Sequence, residues 1–298
     1  MTAQIIDGKA IAAEVRREVA ARVDDLGSLG VVPGLATVLV GDDPASAVYV
    51  RAKRKACAQA GIAARDHDID ASITEKELLG LVDGLNRDPD IHGILVQLPL
   101  PAHIDEARVV EAVLPDKDAD GFHPANLGRL LSGNPRVVPA TPGGVQQLLI
   151  RSGVAISGSE VVVVGRSNIV GKPLAALLMQ KEPGANATVT VCHTGTADIA
   201  AHTRRAEILV AAVGRAHAIT GDMIAPGAVV IDVGVNRTEA GLTGDVDFEA
   251  ASEVAGAITP VPGGVGPMTI AQLLHNTVEL AYRSEKSVPG LGEPARPA

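Results

Sequence analysis

Apolar residues recur along this chain with two alternating periods, one typical of amphipathic helices and one typical of buried strands. In the first half the pattern predicts, in order, a helix from about Lys9 to Leu26, a strand LATVLVG ending near Gly41, a helix over about 44–60, a helix beginning near Thr74 and a buried strand in IHGILVQLPLP ending at Pro99. Asp43 is a suitable N-cap for the helix over 44–60, Pro44 fits its first position, and Gly61 is a natural stop.

The second half repeats the alternation with longer apolar runs. It predicts strands in EVVVVG (160–165), ATVTVCH (187–193), EILVAAVG (207–214) and AVVIDVGVN (228–236), a helix in KPLAALLMQK and a closing helix over 268–284. Strands of this kind are buried on both faces by helices, as in a doubly wound parallel sheet. We therefore predict an α/β protein whose C-terminal domain is a Rossmann-type nucleotide-binding domain.

The turn-rich stretch LPDKDADGFHPANLG contains the predicted domain boundary, near Gly121. We expect a first domain over 1–121 and a second over 122–284, with the closing helix 268–284 able to pack back on the first. The last residues, 285–298, lack an apolar period and are predicted to be a loose tail.

Composition narrows the class of protein. Hydrophobic residues make up 46% of the chain but aromatic residues only 1%, so Ala, Val, Ile and Leu must build the cores. The net charge of −9 disfavours nucleic acid or an anionic membrane as a partner. Two cysteines cannot form a disulfide framework, the N-terminus does not resemble a signal peptide, and no apolar run reaches the ~20 residues that a bilayer requires. We therefore expect a soluble, cytoplasmic protein.

A glycine-containing turn in VVVVGRSNIVGKP joins a buried strand to a helix, whose N-terminus attracts phosphate. Five residues separate Gly165 from Gly171, and Ser167 stands where G-x-G-x-x-G has its second glycine, so the fingerprint is weak. A P-loop is excluded, because it needs four intervening residues and a hydroxyl residue after the lysine, where this chain has Pro173. The alternative is a tight turn without a ligand.

Charge near this turn favours one cofactor. An NAD-binding strand commonly ends near an acidic residue that holds the ribose hydroxyls, whereas here the second strand ends in Cys192, His193 and Thr194. Arg166 follows Gly165 directly and places a cation where a 2′-phosphate would lie, which favours NADP. The alternative is an ordinary solvated arginine.

Three residues of the helix over 44–60 share one face, because Ser46, Tyr49 and Lys53 are spaced i, i+3 and i+7. Gln97 lies inside the apolar run GILVQL, where an amide is costly unless it is paired. A lysine beside it could act as an acid or base if its pKa fell well below ~10.4. The alternatives are a solvated lysine, a packing tyrosine and an amide that caps a backbone group.

Two further stretches have the composition of ligand-binding loops. Asp116, Asp118 and Asp120 begin a calcium-loop pattern, but position 12 is Leu127 and not glutamate, so calcium is rejected. One of these carboxylates could instead bind a polar heterocycle. PVPGGVGPMT (260–269) offers bare backbone to a planar ligand, and the alternative is a rigid interdomain loop.

Taken together, the chain resembles the family of bifunctional methylenetetrahydrofolate dehydrogenase/cyclohydrolases. The resemblance covers about residues 5 to 284 and rests on an ordered set of segments, namely GDDPASAVYVRAKRKAC (41–57), GILVQLPLP (93–101), PDKDADGFHPANLGRL (115–130), ATPGGV (140–145), VVGRSNIVGKP (163–173), TVTVCHTGT (188–196), VIDVGVN (230–236) and PGGVGPMT (262–269). It implies two α/β domains flanking a cleft, dimerisation through the nucleotide domain and no metal for either reaction.

The resemblance also implies roles for individual residues. Lys53 would be the general acid/base of the cyclohydrolase step, with Gln97 hydrogen-bonded to it and lowering its proton affinity. Residues expected to contact the folate are Ser46, Tyr49, Val96, Gln97, Leu98, Asp120, Pro262, Gly263, Gly264, Gly266 and Pro267. Residues expected to line NADP are Gly165, Arg166, Ser167, Gly171, Thr194 and Val235. Two other hypotheses are an NADP dehydrogenase of the shikimate dehydrogenase kind and a non-catalytic NADP-binding protein.

Overall fold

The computed structural model describes residues 2–42, 44–239 and 241–286, with the side chains at 44–48 and 286 outside that description. The chain divides into two compact units. The six-strand unit contains Met1–Glu14 and Leu127–Gln272, and the three-strand unit contains Val15–Asn126 and Leu273–Ala298.

Helices and strands alternate through both units. The described strands are β1 (Gln4–Ile5), β2 (Gly34–Val40), β3 (Ala63–Ile69), β4 (Gly93–Val96), β5 (Glu160–Val164), β6 (Thr188–Cys192), β7 (Ile208–Ala211), β8 (Val229–Asp232), β9 (Asn236–Thr238), β10 (Gly241–Thr243) and β11 (Ala257–Ile258). The described α-helices are α1 (Gly8–Ser28), α2 (Pro44–Ala60), α3 (Glu75–Arg87), α4 (Glu106–Ala112), α5 (Pro124–Leu131), α6 (Ala140–Arg151), α7 (Gly171–Leu178), α8 (Ile199–Thr203), α9 (Phe248–Val254) and α10 (Val265–Lys286).

A parallel sheet in the order β3-β2-β4 forms the centre of the three-strand unit. All seven residues of β2 are buried, as expected for a strand covered on both faces. Helix α3 begins with a capping box, in which the Thr74 side chain accepts from the Glu77 N–H and the Glu77 side chain accepts from the Thr74 N–H. Its buried Leu78 and Val82 then pack on the sheet.

The six-strand unit contains a parallel sheet in the order β1-β11-β8-β7-β5-β6. The chain runs from β5 outwards to β6 and then returns to β7 on the other side of β5, so the strand order reverses there. The carboxyl ends of β5 and β7 flank this switch point, where open α/β sheets bind ligands. The predicted α/β class and the doubly wound parallel sheet are confirmed.

The ends of the chain do not follow the predicted domain limits. The first strand, β1, belongs to the six-strand unit because Gln4 and Ile5 pair with Ala257 and Ile258 of β11. The second half of α10 belongs to the three-strand unit, where the Asn276 amide donates to the Ala119 carbonyl oxygen at 2.9 Å. The compact units are therefore discontinuous in sequence.

Most predicted elements are present with small shifts of their ends. Strand β4 ends at Val96, three residues before Pro99, which has no N–H to donate to a ladder. Glu285 and Lys286 continue α10, whereas the rest of the predicted tail and the predicted N-cap Asp43 lie outside the described residues. Within the described residues, every helix is too short or too polar to cross a membrane.

Candidate active site and nucleotide-binding turn

Helix α2 buries the amino group of a lysine. The Lys53 residue is only 6% exposed, and its Nζ donates to Oε1 of Gln97 at 3.0 Å. One turn earlier, the Tyr49 ring centroid lies 6.0 Å from the same Nζ, at the outer limit of a cation–π contact. The predicted face of α2 therefore brings Tyr49 and Lys53 together, whereas the Ser46 side chain lies outside the described residues.

Gln97 is held at both ends of its amide. It directly follows β4, its backbone N–H donates to Val38 at 2.8 Å, and its Nε2 donates to the carbonyl oxygen of Leu98 at 2.7 Å. With Nε2 engaged in this way, Oε1 is the atom that faces Lys53. The two readings of Gln97 are thus compatible, because the amide both caps a backbone carbonyl and binds the lysine.

Two carboxylates of the acidic turn after α4 have different surroundings. Asp118 is buried and accepts from the N–H groups of Gly121 and His123 and from Nδ2 of Asn126, at 3.0, 2.8 and 2.9 Å. A parallel bridge between Ile94 and Asp118 holds this turn beside β4. Asp120 is half-buried, and its carboxylate has no hydrogen-bond partner in the described part of the chain. Asp118 therefore shapes the turn and leaves Asp120 available.

Burial controls the protonation of this cluster. Desolvation lowers the pKa of Lys53, while the charge of Asp120 opposes that change. Desolvation raises the pKa of Asp120 to about 6, against the pull of Lys53. Gln97 is not the cause of the lowered lysine pKa, because a carbonyl oxygen that accepts from an ammonium group favours the charged form. The lowering of the Lys53 pKa, which the resemblance attributed to Gln97, is due to desolvation.

Val96 and Leu98 flank Gln97 on the apolar side. Val96 is buried in the core of the three-strand unit, and Leu98 packs against the same core. The Val96 side chain is therefore engaged in packing, whereas the half-buried Leu98 side chain keeps part of its surface accessible.

The glycine turn after β5 is packed too tightly for side chains. Gly165 has a φ of +139°, and a Cβ there would collide with the carbonyl oxygen of Ala212, while a Cβ at Gly171 would collide with that of Gly165. The Ser167 hydroxyl accepts from the N–H groups of Val170 and Gly171 at 3.1 and 3.4 Å, at the start of α7. The turn thus presents backbone at the switch point of the sheet.

The other predicted cofactor residues lie at the same edge of this sheet. Arg166 and Thr194 are exposed, and Val235 is 51% exposed. The Arg166 guanidinium makes no hydrogen bond or ion pair with any described residue, so it can bind an anion without breaking an internal contact.

The glycine-rich segment before α10 belongs to the six-strand unit and has a mixed character. Gly263 and Gly264 are buried, and a Cβ at Gly264 would meet the Pro260 carbonyl oxygen at 2.7 Å, which favours a packing role for both. Pro262 is exposed, whereas Gly266 and Pro267 in the first turn of α10 are half-buried. Of the residues predicted here to border the folate, these three therefore present surface that a ligand could contact.

Metal chemistry has no evident framework in this part of the molecule. Among residues 2–42, 44–239 and 241–286, no three His, Cys, Asp or Glu side chains are grouped so that they could hold a metal ion. Of the carboxylates in the predicted D-x-D-x-D-G turn, that of Asp118 accepts from backbone and amide N–H groups.

A parallel sheet with a glycine turn at its switch point, together with a buried lysine–glutamine pair, defines an α/β enzyme of the dinucleotide-dependent class. The tetrahydrofolate dehydrogenase/cyclohydrolase catalytic domain matches residues 6–120, and the NAD(P)-binding domain of the same proteins matches residues 139–285. The chain belongs to the tetrahydrofolate dehydrogenase/cyclohydrolase family.

Relatives in bacteria are similar over nearly their whole length. The bifunctional protein FolD of Bordetella avium is 59% identical over 285 residues, covering 95% of this chain and 99% of that protein. The protein of the same name from Bacillus subtilis is 57% identical, with the same coverage. The similarity therefore includes both compact units.

Solved structures agree with this assignment. The bifunctional FolD enzyme of Campylobacter jejuni has a TM-score of 0.90 at 45% identity, covering 94% of this chain and 99% of that one. The Trypanosoma brucei enzyme, solved with NADP cofactor and an inhibitor, has a TM-score of 0.90 at 41% identity, covering 96% and 99%. A shikimate 5-dehydrogenase from Listeria monocytogenes has a TM-score of 0.52 at 14% identity, which shows a shared fold alone.

Replacing Asp120 by Asn should lower the pKa of Lys53 further. The negative charge of Asp120 favours the ammonium form of Lys53, so its removal favours the neutral amine. The pH midpoint of the Lys53 Cε resonance, measured by NMR on protein with labelled lysine and assigned with Lys53→Met, should move to lower pH. Asp116→Asn removes an exposed charge from the same turn and serves as the control. A midpoint that stays fixed or rises in Asp120→Asn contradicts the assigned coupling.

Proposed function

We propose that this chain oxidises 5,10-methylenetetrahydrofolate with NADP and then hydrolyses the 5,10-methenyl product to 10-formyltetrahydrofolate, with Lys53 as the central catalytic residue. The observation that carries the proposal is the buried Lys53 amine, hydrogen-bonded to Gln97 in a chain whose two halves match the two domains of this family. Residues 1–121 supply the folate chemistry and 122–284 supply the NADP site.

The chain's own groups fit NADP. Gly165 and Gly171 form a turn that side chains would block, and the exposed Arg166 guanidinium beside it suits a 2′-phosphate. Ser167, Thr194 and Val235 complete this edge of the site. The chemistry that the bound cofactor supplies is hydride acceptance.

Folate recognition involves the residues around the lysine. Asp120, whose carboxylate accepts no hydrogen bond from the described residues, binds the polar edge of the pterin. The half-buried Tyr49 ring stacks on a planar part of the substrate. Further residues proposed to border the folate are Ser46, Val96, Gln97, Leu98, Pro262, Gly263, Gly264, Gly266 and Pro267. For Val96, Gly263 and Gly264 the contacts are made by backbone, because these residues are buried, whereas the half-buried Leu98 also offers its side chain.

Lys53 moves the protons of the hydrolytic step. In its neutral form the amine takes a proton from the water that adds to the cationic one-carbon centre. The bond from this carbon to one ring nitrogen then breaks while that nitrogen receives the proton held by Lys53. The new hydroxyl group loses its proton to solvent and becomes the C=O of the formyl group, which remains on the other nitrogen. Desolvation favours the neutral amine that the first proton transfer needs, since it lowers the pKa of Lys53.

The oxidation step depends on Lys53 in a different way. No proton leaves the substrate when a hydride departs from the bridging carbon, so the lysine contributes by positioning that carbon. Gln97 fixes the amine for both steps because its own amide is fixed by the Leu98 carbonyl.

Lys53→Met is the most direct test of this assignment. Methionine keeps the length and apolar stem but cannot transfer protons, so cyclohydrolase kcat should fall by at least ~100-fold, with a smaller loss of dehydrogenase activity. Lys55→Met on the same helix, where the side chain is exposed, is the matched control and should retain both activities. Methenyl consumption and NADPH formation are followed by absorbance. Full cyclohydrolase turnover in Lys53→Met would refute the assignment.

Arg166→Ala tests the choice of cofactor. Loss of a charge-assisted contact with the 2′-phosphate should weaken NADP binding by ~1.5–3 kcal/mol, or about 10–150-fold. The affinity for NAD, which lacks that phosphate, is the internal control and should change little. Calorimetric titration of both dinucleotides measures the ratio, and an unchanged NADP affinity would return Arg166 to an ordinary surface residue.

We also propose that the chain forms a homodimer through its nucleotide-binding part. Strand β6 lies at an edge of the six-stranded sheet, and its Val191 is 36% exposed. An unpaired strand edge with exposed apolar residues is suited to association with a second copy. Sedimentation equilibrium should give twice the mass of one chain, and a single-chain mass at micromolar concentration would contradict the proposal.

The cytoplasm is the proposed compartment. Cys57 and Cys192 are both free thiols buried within the fold, which is compatible with a reducing environment. Cell fractionation followed by immunodetection would place the protein, and recovery in a membrane or secreted fraction would contradict this location.

A further inference from the structure

Two buried carboxylates in the six-strand unit have no role in the chemistry described above. Asp232 ends β8 and is 3% exposed, and Asp245 follows β10 and is 0% exposed. Neither makes an ion pair with a described residue, and both are surrounded by N–H donors. Buried carboxylates are costly without such donors, so their arrangement calls for a physical account.

Asp232 holds the segment that carries the second carboxylate. Its Oδ1 accepts from the N–H groups of Gly234 and Asp245 at 3.0 and 2.9 Å, and its Oδ2 accepts from Val246 at 2.9 Å. Burial and the charge of Asp245 raise the pKa of Asp232 to about 6, while these backbone donors oppose the rise. Asp232 therefore fixes the backbone on which Asp245 stands.

Asp245 in turn holds the loops that follow β7 and β8. Its Oδ2 accepts from the N–H groups of Val213 and Gly214 at 2.6 and 2.9 Å, and its Oδ1 accepts from the N–H of Arg215 at 3.0 Å. The same Oδ1 accepts from Nδ2 of Asn236 at 2.9 Å. One carboxylate thus binds three successive N–H groups after β7 and one amide after β8.

The loop after β7 packs directly against the glycine turn that follows β5. Ala212 precedes the three N–H groups, and its carbonyl oxygen occupies the space where Gly165 would have a Cβ. A displacement of the β7 loop would therefore disturb the Gly165 turn. The Val235 side chain, proposed to meet NADP, directly precedes Asn236.

Two glycines allow the carboxylates to approach the backbone. A Cβ at Gly234 would collide with the carboxyl group of Asp245, and a Cβ at Gly244 would collide with that of Asp232. The arrangement is consequently closed around both side chains and leaves little space for either to move.

We propose that Asp245, held in place by Asp232, is a positioning residue for the NADP-dependent step, because it fixes the loops after β7 and β8 around the cofactor. The inference rests on the proposed function and extends it to residues that do not themselves touch the cofactor. Water addition to the methenyl group takes place without NADP and is therefore independent of Asp245.

Asp245→Asn is the sharpest variant. Each carboxylate oxygen accepts two N–H donors, whereas asparagine has one acceptor oxygen and an NH2 group that would face two of those donors. The dissociation constant of NADPH, measured by its fluorescence, and KM for NADP should rise about 10–100-fold, as expected when buried donors lose their acceptor. Cyclohydrolase kcat should stay within about twofold of the parent, an outcome that a general loss of structure would not give.

Asp247→Asn is the matched control on the same segment. The Asp247 side chain caps α9 by accepting from the Ala250 N–H at 3.3 Å, and the Asp247 backbone N–H, which the substitution leaves in place, donates to the Ile219 carbonyl oxygen at 2.8 Å. It should lower the melting temperature without changing the ratio of NADP affinity to cyclohydrolase activity. If Asp245→Asn does not fold, Asn236→Ala removes a single donor to Asp245 and should weaken NADPH binding by about 5-fold or more.

Each outcome supports or overturns the proposal. Selective loss of NADP binding in Asp245→Asn or Asn236→Ala supports it, whereas unchanged NADP binding or an equal loss of both activities overturns it. A parent protein that opens the methenyl ring but does not bind NADP, or that does neither, overturns the proposed function together with this inference. A parent with both properties and an Asp245→Asn variant with unchanged NADP affinity overturns only the inference.

Discussion

The burial of one amino group, that of Lys53, is the constraint on which the site in the three-strand unit depends. A buried amine needs a hydrogen-bond partner, and the amide oxygen of Gln97 supplies one without adding a negative charge. Burial lowers the pKa of the amine while Asp120 opposes that change, so the proton is held less tightly than in water. The end of β4 at Val96 positions Gln97, and the turn held by Asp118 positions Asp120. Both elements therefore set the surroundings of the amine.

The sequence predicted correctly those elements in which all local signals favour the same secondary structure. The apolar runs of β2 and β5 predict buried parallel strands, and helix α3 combines a capping box with a clear apolar face. Strand β3 was missed because AARDHDI is dominated by charged residues, as an edge strand with exposed side chains can be. Strand β3 is specified by its pairing with β2, a tertiary contact that the local sequence does not show.

Helix α6 illustrates a second kind of omission. It contains Pro142, Gly143 and Gly144, which ordinarily argue against a helix interior. Both glycines face the start of α10, where a Cβ would approach Gln272 at 2.9 Å or Met268 at 3.0 Å. Close packing between two helices, invisible in the sequence of either, thus overrides local propensity.

The site residues likewise divide into those with a local signal in the sequence and those without one. Tyr49, Lys53 and Gln97 were found because helical spacing and a polar residue in an apolar run are local signals, and the family resemblance added their roles. Asp232 also stands in an apolar run, VVIDVG, and that signal could have drawn attention to it. Asp245 had no such signal, since its donors come from loops about 10 and 30 positions away in the chain.

The pairing of β1 with β11 has a consequence for how the molecule is assembled. Gln4 and Ile5 are translated long before their partners Ala257 and Ile258, so β1 stays unpaired until β11 has been made. A fragment restricted to the C-terminal half would leave the outer edge of β11 without its partner strand. The six-strand unit therefore cannot be excised as one continuous segment without losing β1.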